Sequence, residues 1–132
     1  NTQINYLSDI CGVDFPQQTS RFEIIYNFLS LTFNSRLRIK TCIHELMSVN
    51  SLALIFLSAC WFERELWDML GIYFFEHFRL RRILTDYGFF GYPLRKEFPT
   101  SGFLEVRYDE VLQKVAYESV QFTCSSRFLY HL

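Results

Sequence analysis

Four charged residues on one short stretch are the first place to look for chemistry. Glu63-Arg64-Glu65 and Asp68 put three carboxylates and a guanidinium within two turns of a helix. Carboxylates that close could act as an acid–base pair or grip a metal. A di-iron type of site wants Glu-x-x-His, but the residue three after Glu65 is Asp68 and the residue three after Glu63 is Leu66. The spacing fails, and a charged helix surface or interface is the preferred reading. Arg64 and Asp68 stand at i, i+4, a pairing worth a few tenths of a kcal/mol when exposed.

The remaining reactive side chains are scattered. His44, His77 and His131 form no H-x-x-x-H or H-E-x-x-H pair. Only His77 sits among charges, where it could titrate near neutral pH; a hydrogen-bonded structural histidine is the plainer reading. Cys11, Cys42, Cys60 and Cys124 are separated by 31, 18 and 64 residues. Without a C-x-x-C pair they argue against a zinc ribbon or an iron–sulfur cluster held by this chain alone. Two disulfides are conceivable, but the mostly apolar neighbours favour buried free thiols. No G-x-S-x-G, G-x-G-x-x-G or P-loop occurs. Arg79, Arg81-Arg82 and Arg95-Lys96, with Tyr87, Phe89 and Tyr92 between them, mix cations and aromatics as RNA-binding segments do. The same residue types dominate protein–protein hot spots. A net charge of -1 favours the protein interface, with a free-standing RNA-binding module using residues 79–96 as the alternative.

These residues need a scaffold, and the composition supplies one. Half of the 132 residues are hydrophobic and 19% aromatic, enough for one domain with a core, and too apolar for a disordered chain. The longest nearly apolar run, Leu52 to Phe62, has 11 residues, against roughly 20 for a membrane span. No signal or transit pattern opens the sequence. Phe, Leu, Ile and Tyr make up 49 residues and Ala, Gly and Pro only 11. That bias fits either an A/T-rich gene, such as an organelle's, or a taste for large core side chains.

The hydrophobic pattern predicts an α+β fold. Residues 4–10 are mildly apolar and Cys11 to Pro16 reads as a strand end and loop. Arg21 to Leu31 suits a strand with Phe22, Ile24, Tyr26 and Phe28 on one face. After a turn around Asn34, Leu37, Ile39, Thr41 and Ile43 alternate with Arg36, Arg38, Lys40 and Cys42, which predicts a half-buried strand with a basic outer face. These two runs form a hairpin over residues 21–43. Phe62, Leu66, Met69 and Leu70 make the stripe of a helix over Ala59 to Leu70, and Gly71 stands where a C′ glycine belongs. Residues 76–98 show no period. Such a segment is long for a free loop and needs a surface to lie against. Strands are expected over 103–108 and 115–122, with a turn at Asp109-Glu110; Cys124 to Leu132 shows no period. We therefore expect a core over residues 1–75, a small antiparallel sheet with a packed helix. A long extended C-terminal segment, 76–132, would bind partners.

Several blocks resemble one family. Glu63-Arg64-Glu65-Leu66-Trp67-Asp68-Met69-Leu70-Gly71-Ile72, then His77, then Leu80-Arg81-Arg82-Ile83-Leu84-Thr85-Asp86-Tyr87-Gly88-Phe89, are similar to the thirty-kilodalton core subunit of respiratory complex I. The likeness continues through Gly91 to Pro99 and Phe103 to Asp109, and back to Asp9 to Pro16 and Arg21 to Ser30. It covers roughly 100 of the 132 residues, in order. Leu84 to Phe89 follows the mitochondrial wording, which with the composition points to a mitochondrially encoded gene. The departures are His77-Phe78-Arg79 where the family has His-Pro-Asp, and Gly91-Tyr92-Pro93 where it has Gly-His-Pro.

The resemblance implies a scaffold subunit of the hydrophilic, matrix-side arm, peripheral to the inner membrane. It would have no transmembrane helix, no nucleic acid partner and no catalytic residue. It also implies that FMN, iron–sulfur clusters, NADH and ubiquinone sit on other subunits, with the forty-nine-kilodalton quinone-site subunit as a neighbour. The motif and interface residues it singles out are Glu63, Arg64, Glu65, Asp68, His77, Arg81, Arg82, Asp86, Arg95 and Lys96. Arg82 and Arg95, in the best-matched blocks, are expected to pair with acids on a partner. Only eight residues precede Asp9, so the family's N-terminal portion is expected from a separate chain that covers an otherwise unpaired strand edge.

Overall fold

The computed structural model describes residues 3–120. His131, Cys124, the end of the expected 115–122 strand and the 124–132 tail lie outside them. The chain divides into two compact units, Asn1–Lys96 and Glu97–Leu132. The boundary falls at Lys96 and not at residue 75, because residues from Arg81 to Lys96 are hydrogen-bonded onto the helix Ala59–Leu70 and the strand Tyr6–Asp14.

That first unit begins with a meander of three antiparallel strands in the order β1-β2-β3: β1 (Tyr6–Asp14), β2 (Phe22–Ser30) and β3 (Ser35–Ile43). The turn between β2 and β3 uses Asn34 at φ 46°, a left-handed conformation that Asn tolerates better than most residues. β2 is central, and its alternation of buried Phe22, Ile24, Tyr26 and Phe28 with half-buried neighbours matches the expected faces. β1 differs from expectation. It does not end near Cys11 but runs on to Asp14, with Gly12 opposite Ile24.

Gly12 is there for space. A Cβ on it would lie 2.5 Å from Leu70 Cδ1 and 2.8 Å from Leu66 Cδ2, so the helix can sit directly on β1. Gly12→Val should therefore cost about 1–3 kcal/mol through overpacking. Urea unfolding of the chain checks this, and a midpoint unchanged from wild type would show that the two leucines move aside freely.

β3 is not half-buried. Its residues are exposed apart from Thr41, which is half-buried, and the last, Ile43, which is buried. The alternation was correct, but the helix lies across β1 and leaves the far edge of the sheet open. That helix, α1, follows the two-residue strand β4 (Val49–Asn50) and spans Ala59–Leu70 as expected. Ser58 precedes it without a side-chain capping bond; its Oγ lies 3.4 Å from the Leu7 carbonyl instead. Gly71 closes it at φ 78°, with its N–H donating to the Leu66 and Trp67 carbonyls, both at 3.1 Å. A side chain at this left-handed position would also strike the Tyr92 ring. β5 (Phe74–Phe75) then returns parallel to β4. The core lies between α1 and the sheet, built on Phe22, Ile24, Leu66, Leu70, Ile72 and Phe74. Of the expected helix stripe, Leu66 and Leu70 are buried while Phe62 and Met69 are half-buried.

The second unit contains a hairpin of β6 (Leu104–Asp109) and β7 (Lys114–Ser119). The sequence reading placed both strands within a residue or two, the end of the second apart.

Candidate functional site

The charged motif on α1 is not a helix surface. Glu63 and Asp68 are fully buried and Arg64 nearly so, while Glu65 alone is exposed. Each buried ion is matched to groups arriving from elsewhere in the chain. The expected Arg64–Asp68 pair does not form, because both side chains are engaged by the segment after Gly71.

Asp68 is the hub. Its Oδ2 accepts three consecutive backbone N–H groups, from Ile83 at 3.1 Å, Leu84 at 2.7 Å and Thr85 at 2.9 Å. Its Oδ1 accepts the Thr85 hydroxyl at 2.6 Å and the Arg82 guanidinium at 3.4 Å. Arg82 Nη1 and Nη2 also donate to the Gly91 carbonyl, each at 3.2 Å, and the guanidinium lies over the Tyr92 ring at 5.3 Å. Arg64 Nε donates to the Arg81 carbonyl at 3.2 Å and its guanidinium stacks over Trp61. One helix thus fixes the course of residues 81–91, which have no regular structure to satisfy their own backbone groups. Arg81 itself contributes that carbonyl, its side chain being exposed. Asp86 caps a local turn through Tyr87 N–H at 2.8 Å.

A second cluster closes the other end of the sheet. Asp14 and Arg21 bracket the β1–β2 loop and pair through Arg21 Nε at 2.9 Å and Nη2 at 3.2 Å. Asp14 also accepts the main-chain N–H of Lys96 at 2.9 Å, across 82 residues of sequence. Arg95 Nε donates to the Leu70 carbonyl at 2.7 Å, at the end of α1, and its Nη1 to Glu45 at 2.6 Å. Its guanidinium lies between the rings of Phe22, at 5.3 Å, and Tyr92, at 4.5 Å. Arg82 and Arg95 therefore bind acids and carbonyls of their own chain.

Glu63 forms a third node. It accepts Ser51 Oγ at 2.6 Å and Leu52 N–H at 2.7 Å, which pins the loop before α1. His77 Nε2 approaches it at 3.8 Å, both side chains being fully buried. His77 Nδ1 accepts the Arg79 N–H at 3.1 Å and the ring stacks on Phe78. Sequence reading missed Asp14, Arg21, Glu45, Ser51 and Thr85 as site residues, while Tyr92 was already placed among the cations it now packs against. Of the missed residues, only Asp14 and Arg21 left a signal: a strand end and a strand start of opposite charge across one short loop.

The electrostatics follow the hydrogen bonds. Burial pushes the Asp68 carboxyl up, but the donors from Thr85, Leu84 and Ile83 outweigh it and hold it below the usual carboxylate range. Asp14 is likewise raised by burial and brought lower still by Arg21 and the Lys96 N–H. Glu63 goes the other way: burial raises it despite its partners. A carboxyl depressed in the folded state adds stability above its unfolded pKa, about 4, and loses it as pH falls through the folded value. Glu63 has the opposite sign, contributing below its unfolded pKa and losing that contribution as pH rises through the folded one. Urea midpoints should therefore fall steeply below about pH 4, and Asp68→Asn should flatten that acid limb. An unchanged limb in the variant would show that Asp68 is not the depressed group.

Among the described residues no group of three or more His, Cys, Asp or Glu could hold a metal ion. Cys11 on β1, Cys42 on β3 and Cys60 on α1 are free. The charged residues tie loops to a helix and a sheet end. What this arrangement defines is an α+β protein whose motif residues hold an irregular segment against a helix and a sheet end. Comparison with known proteins gives the family. The model of the respiratory-chain NADH dehydrogenase 30 Kd subunit matches residues 1–104, and the chain belongs to that family. It is 54% identical over 123 residues to NADH-ubiquinone oxidoreductase subunit 9 of Reclinomonas americana, covering 93% of this chain and 60% of that protein. It is 51% identical over 128 residues to the subunit 9 of Prototheca wickerhamii, covering 97% of this chain and 67% of that one. A Solanum tuberosum protein named iron-sulfur protein 3 of NADH dehydrogenase (ubiquinone) is 50% identical over 127 residues, covering 96% and 67%. The chain thus spans about 60–67% of the length of these relatives. The words iron-sulfur in that last name find no matching ligand set among the described residues, where Cys11, Cys42 and Cys60, three of the four cysteines, lie on separate elements.

Proposed function

We propose that this chain is a scaffold subunit of the hydrophilic arm of mitochondrial NADH:ubiquinone oxidoreductase, peripheral to the inner membrane on the matrix side. In that role it supports electron transfer to ubiquinone and the coupled proton translocation without reacting itself. Its neighbours would include the forty-nine-kilodalton quinone-site subunit, and flavin and clusters would sit on other chains. No helix among the described residues is long and apolar enough to cross a membrane.

Beyond family membership, one observation carries this reading: the β6–β7 hairpin has an exposed apolar face. Leu104, Val106, Tyr108 and Val115 share that face and are each 58–60% exposed. The opposite face carries Glu105, Arg107, Lys114 and Glu118, with Arg107 and Glu118 in a two-bond pair at 3.1 and 2.7 Å. A two-stranded hairpin is marginal by itself, and a clustered apolar face of this kind marks an interaction site. Residues 97–120 accordingly read as a partner-binding arm. The RNA-binding alternative draws no support from the relatives, and the guanidinium groups of Arg82 and Arg95, on which it relied, are engaged within the chain.

Native-gel separation of solubilised mitochondrial membranes, with mass spectrometry of the band holding this chain, tests the proposal. Co-migration with an NADH-oxidising assembly of megadalton scale is expected. Migration alone, or with RNA, would overturn it.

A further inference from the structure

β3 is a nine-residue strand at the edge of the sheet, with β2 on one side and, among the described residues, no strand on the other. Its two side-chain rows have different chemistry. Leu37 and Ile39, opposite Phe28 and Tyr26, share the face on which the core lies and are 42% and 44% exposed. Arg36, Arg38 and Lys40 form the other row, opposite Leu29, Asn27 and Ile25. Lys40 is answered by Glu23 at 2.8 Å, and Arg38 Nε donates to the neutral Asn27 side chain at 3.1 Å. Arg36 and Arg38 thus meet no carboxylate among the described contacts.

A long edge with free N–H and C=O groups is a template for a further strand. The charges select which strand. On a free edge, the residues whose backbone groups point outward are alternate ones. Antiparallel pairing of two β3 strands about a two-fold axis therefore sets even residues against even and odd against odd. Arg36, Arg38 and Lys40 would face their own copies, and like charges directly opposite are destabilising. A second copy is disfavoured, while carboxylates at the same cross-strand positions are favoured.

We propose that the free edge of β3 accepts an extended segment of another polypeptide that alternates apolar and acidic residues. Its apolar row would lie beside Leu37 and Ile39, and its acidic row beside Arg36 and Arg38. The proposal stands on the edge itself and does not depend on which assembly the chain joins.

A capped nine-residue peptide alternating Val and Glu, added to the full chain, tests it by amide hydrogen exchange. Two control peptides accompany it: one of the same composition with the glutamates blocked together, and one alternating Val and Lys. Expected is at least tenfold slowing of exchange at alternate amides within residues 35–43 with the Val–Glu peptide only, weakening as salt rises. R36E/R38E should lose at least tenfold in affinity for that peptide and gain affinity for the Val–Lys one, and R36K/R38K should retain binding, which separates charge from folding. No protection at β3 by the Val–Glu peptide would overturn the proposal. So would equal binding of the three peptides, or concentration-dependent protection of β3 without peptide, which would mean self-pairing. Because no other subunit is present in this experiment, its failure would leave the complex-subunit reading intact, and the converse holds for the native gel.

Discussion

Asp68→Ala should destabilise the chain by about 3–5 kcal/mol, the range for removing one side of a buried, hydrogen-bonded ion pair. The substitution strands three backbone N–H groups, the Thr85 hydroxyl and a share of Arg82 at once. Each orphaned buried donor carries its own desolvation penalty of about 1–3 kcal/mol unless water or a local rearrangement satisfies it. Asp68→Asn keeps the shape and one acceptor, so it should lose less. The diagnostic measurement is a double-mutant cycle with Arg82→Ala, read from urea unfolding. Residues sharing a network couple by about 0.5–3 kcal/mol, and strict additivity would show that Arg82 serves Gly91 and Tyr92 independently of Asp68. Hydrogen exchange at Ile83, Leu84 and Thr85 should accelerate in Asp68→Ala well before global unfolding, because those amides depend on this one carboxylate.

Phe22→Ala is the second large effect, expected at about 3–5 kcal/mol for an aromatic deleted from a core. Phe22 is 1% exposed and sits at the sheet end, opposite Asp14 and Ile43. Its ring also lies 5.2 Å from the Arg21 guanidinium and 5.3 Å from that of Arg95. The cavity would thus open beneath the two cations that hold Asp14 and Glu45. Phe22→Leu keeps much of the apolar contact and loses the cation–π contacts, each worth about 0.5–2 kcal/mol. A Phe22→Leu loss as large as that of Phe22→Ala would mean that the ring's face matters more than its volume. A loss under about 1 kcal/mol for Phe22→Ala would show that the sheet end collapses freely around the deletion.

These two sites explain why the irregular segment 81–96 can be part of a folded unit. It contains almost no regular secondary structure, yet Asp68 holds its start, Arg95 ties its end to α1, and Lys96 N–H docks on Asp14. The exposed Tyr87 and Phe90 are carried on this pinned segment. An ordered irregular surface keeps little conformational entropy to lose on association, which favours its use in a stable assembly.

Sequence alone settled what depends on neighbours in the chain. The α1 stripe and the glycine that ends it were legible because both follow helical geometry within one or two turns. The β2–β3 hairpin was legible through strict alternation and an Asn at the turn. The family was legible because long motif blocks occur in order.

The rest was decided by contacts between distant residues. Glu63 and Asp68 look like surface charges in any local window, since no periodicity shows that donors will arrive from residues 51–52 and 82–85 to satisfy them. Gly12 looks like a strand breaker until a helix from 50 residues onward needs its missing Cβ. The alternation in β3 gave the right faces, but whether either face is buried depends on how far α1 reaches across the sheet. Burial of a charge or exposure of an apolar row is a property of the packed whole, because it is the competing solvent, and not the chain's local geometry, that is removed or left in place.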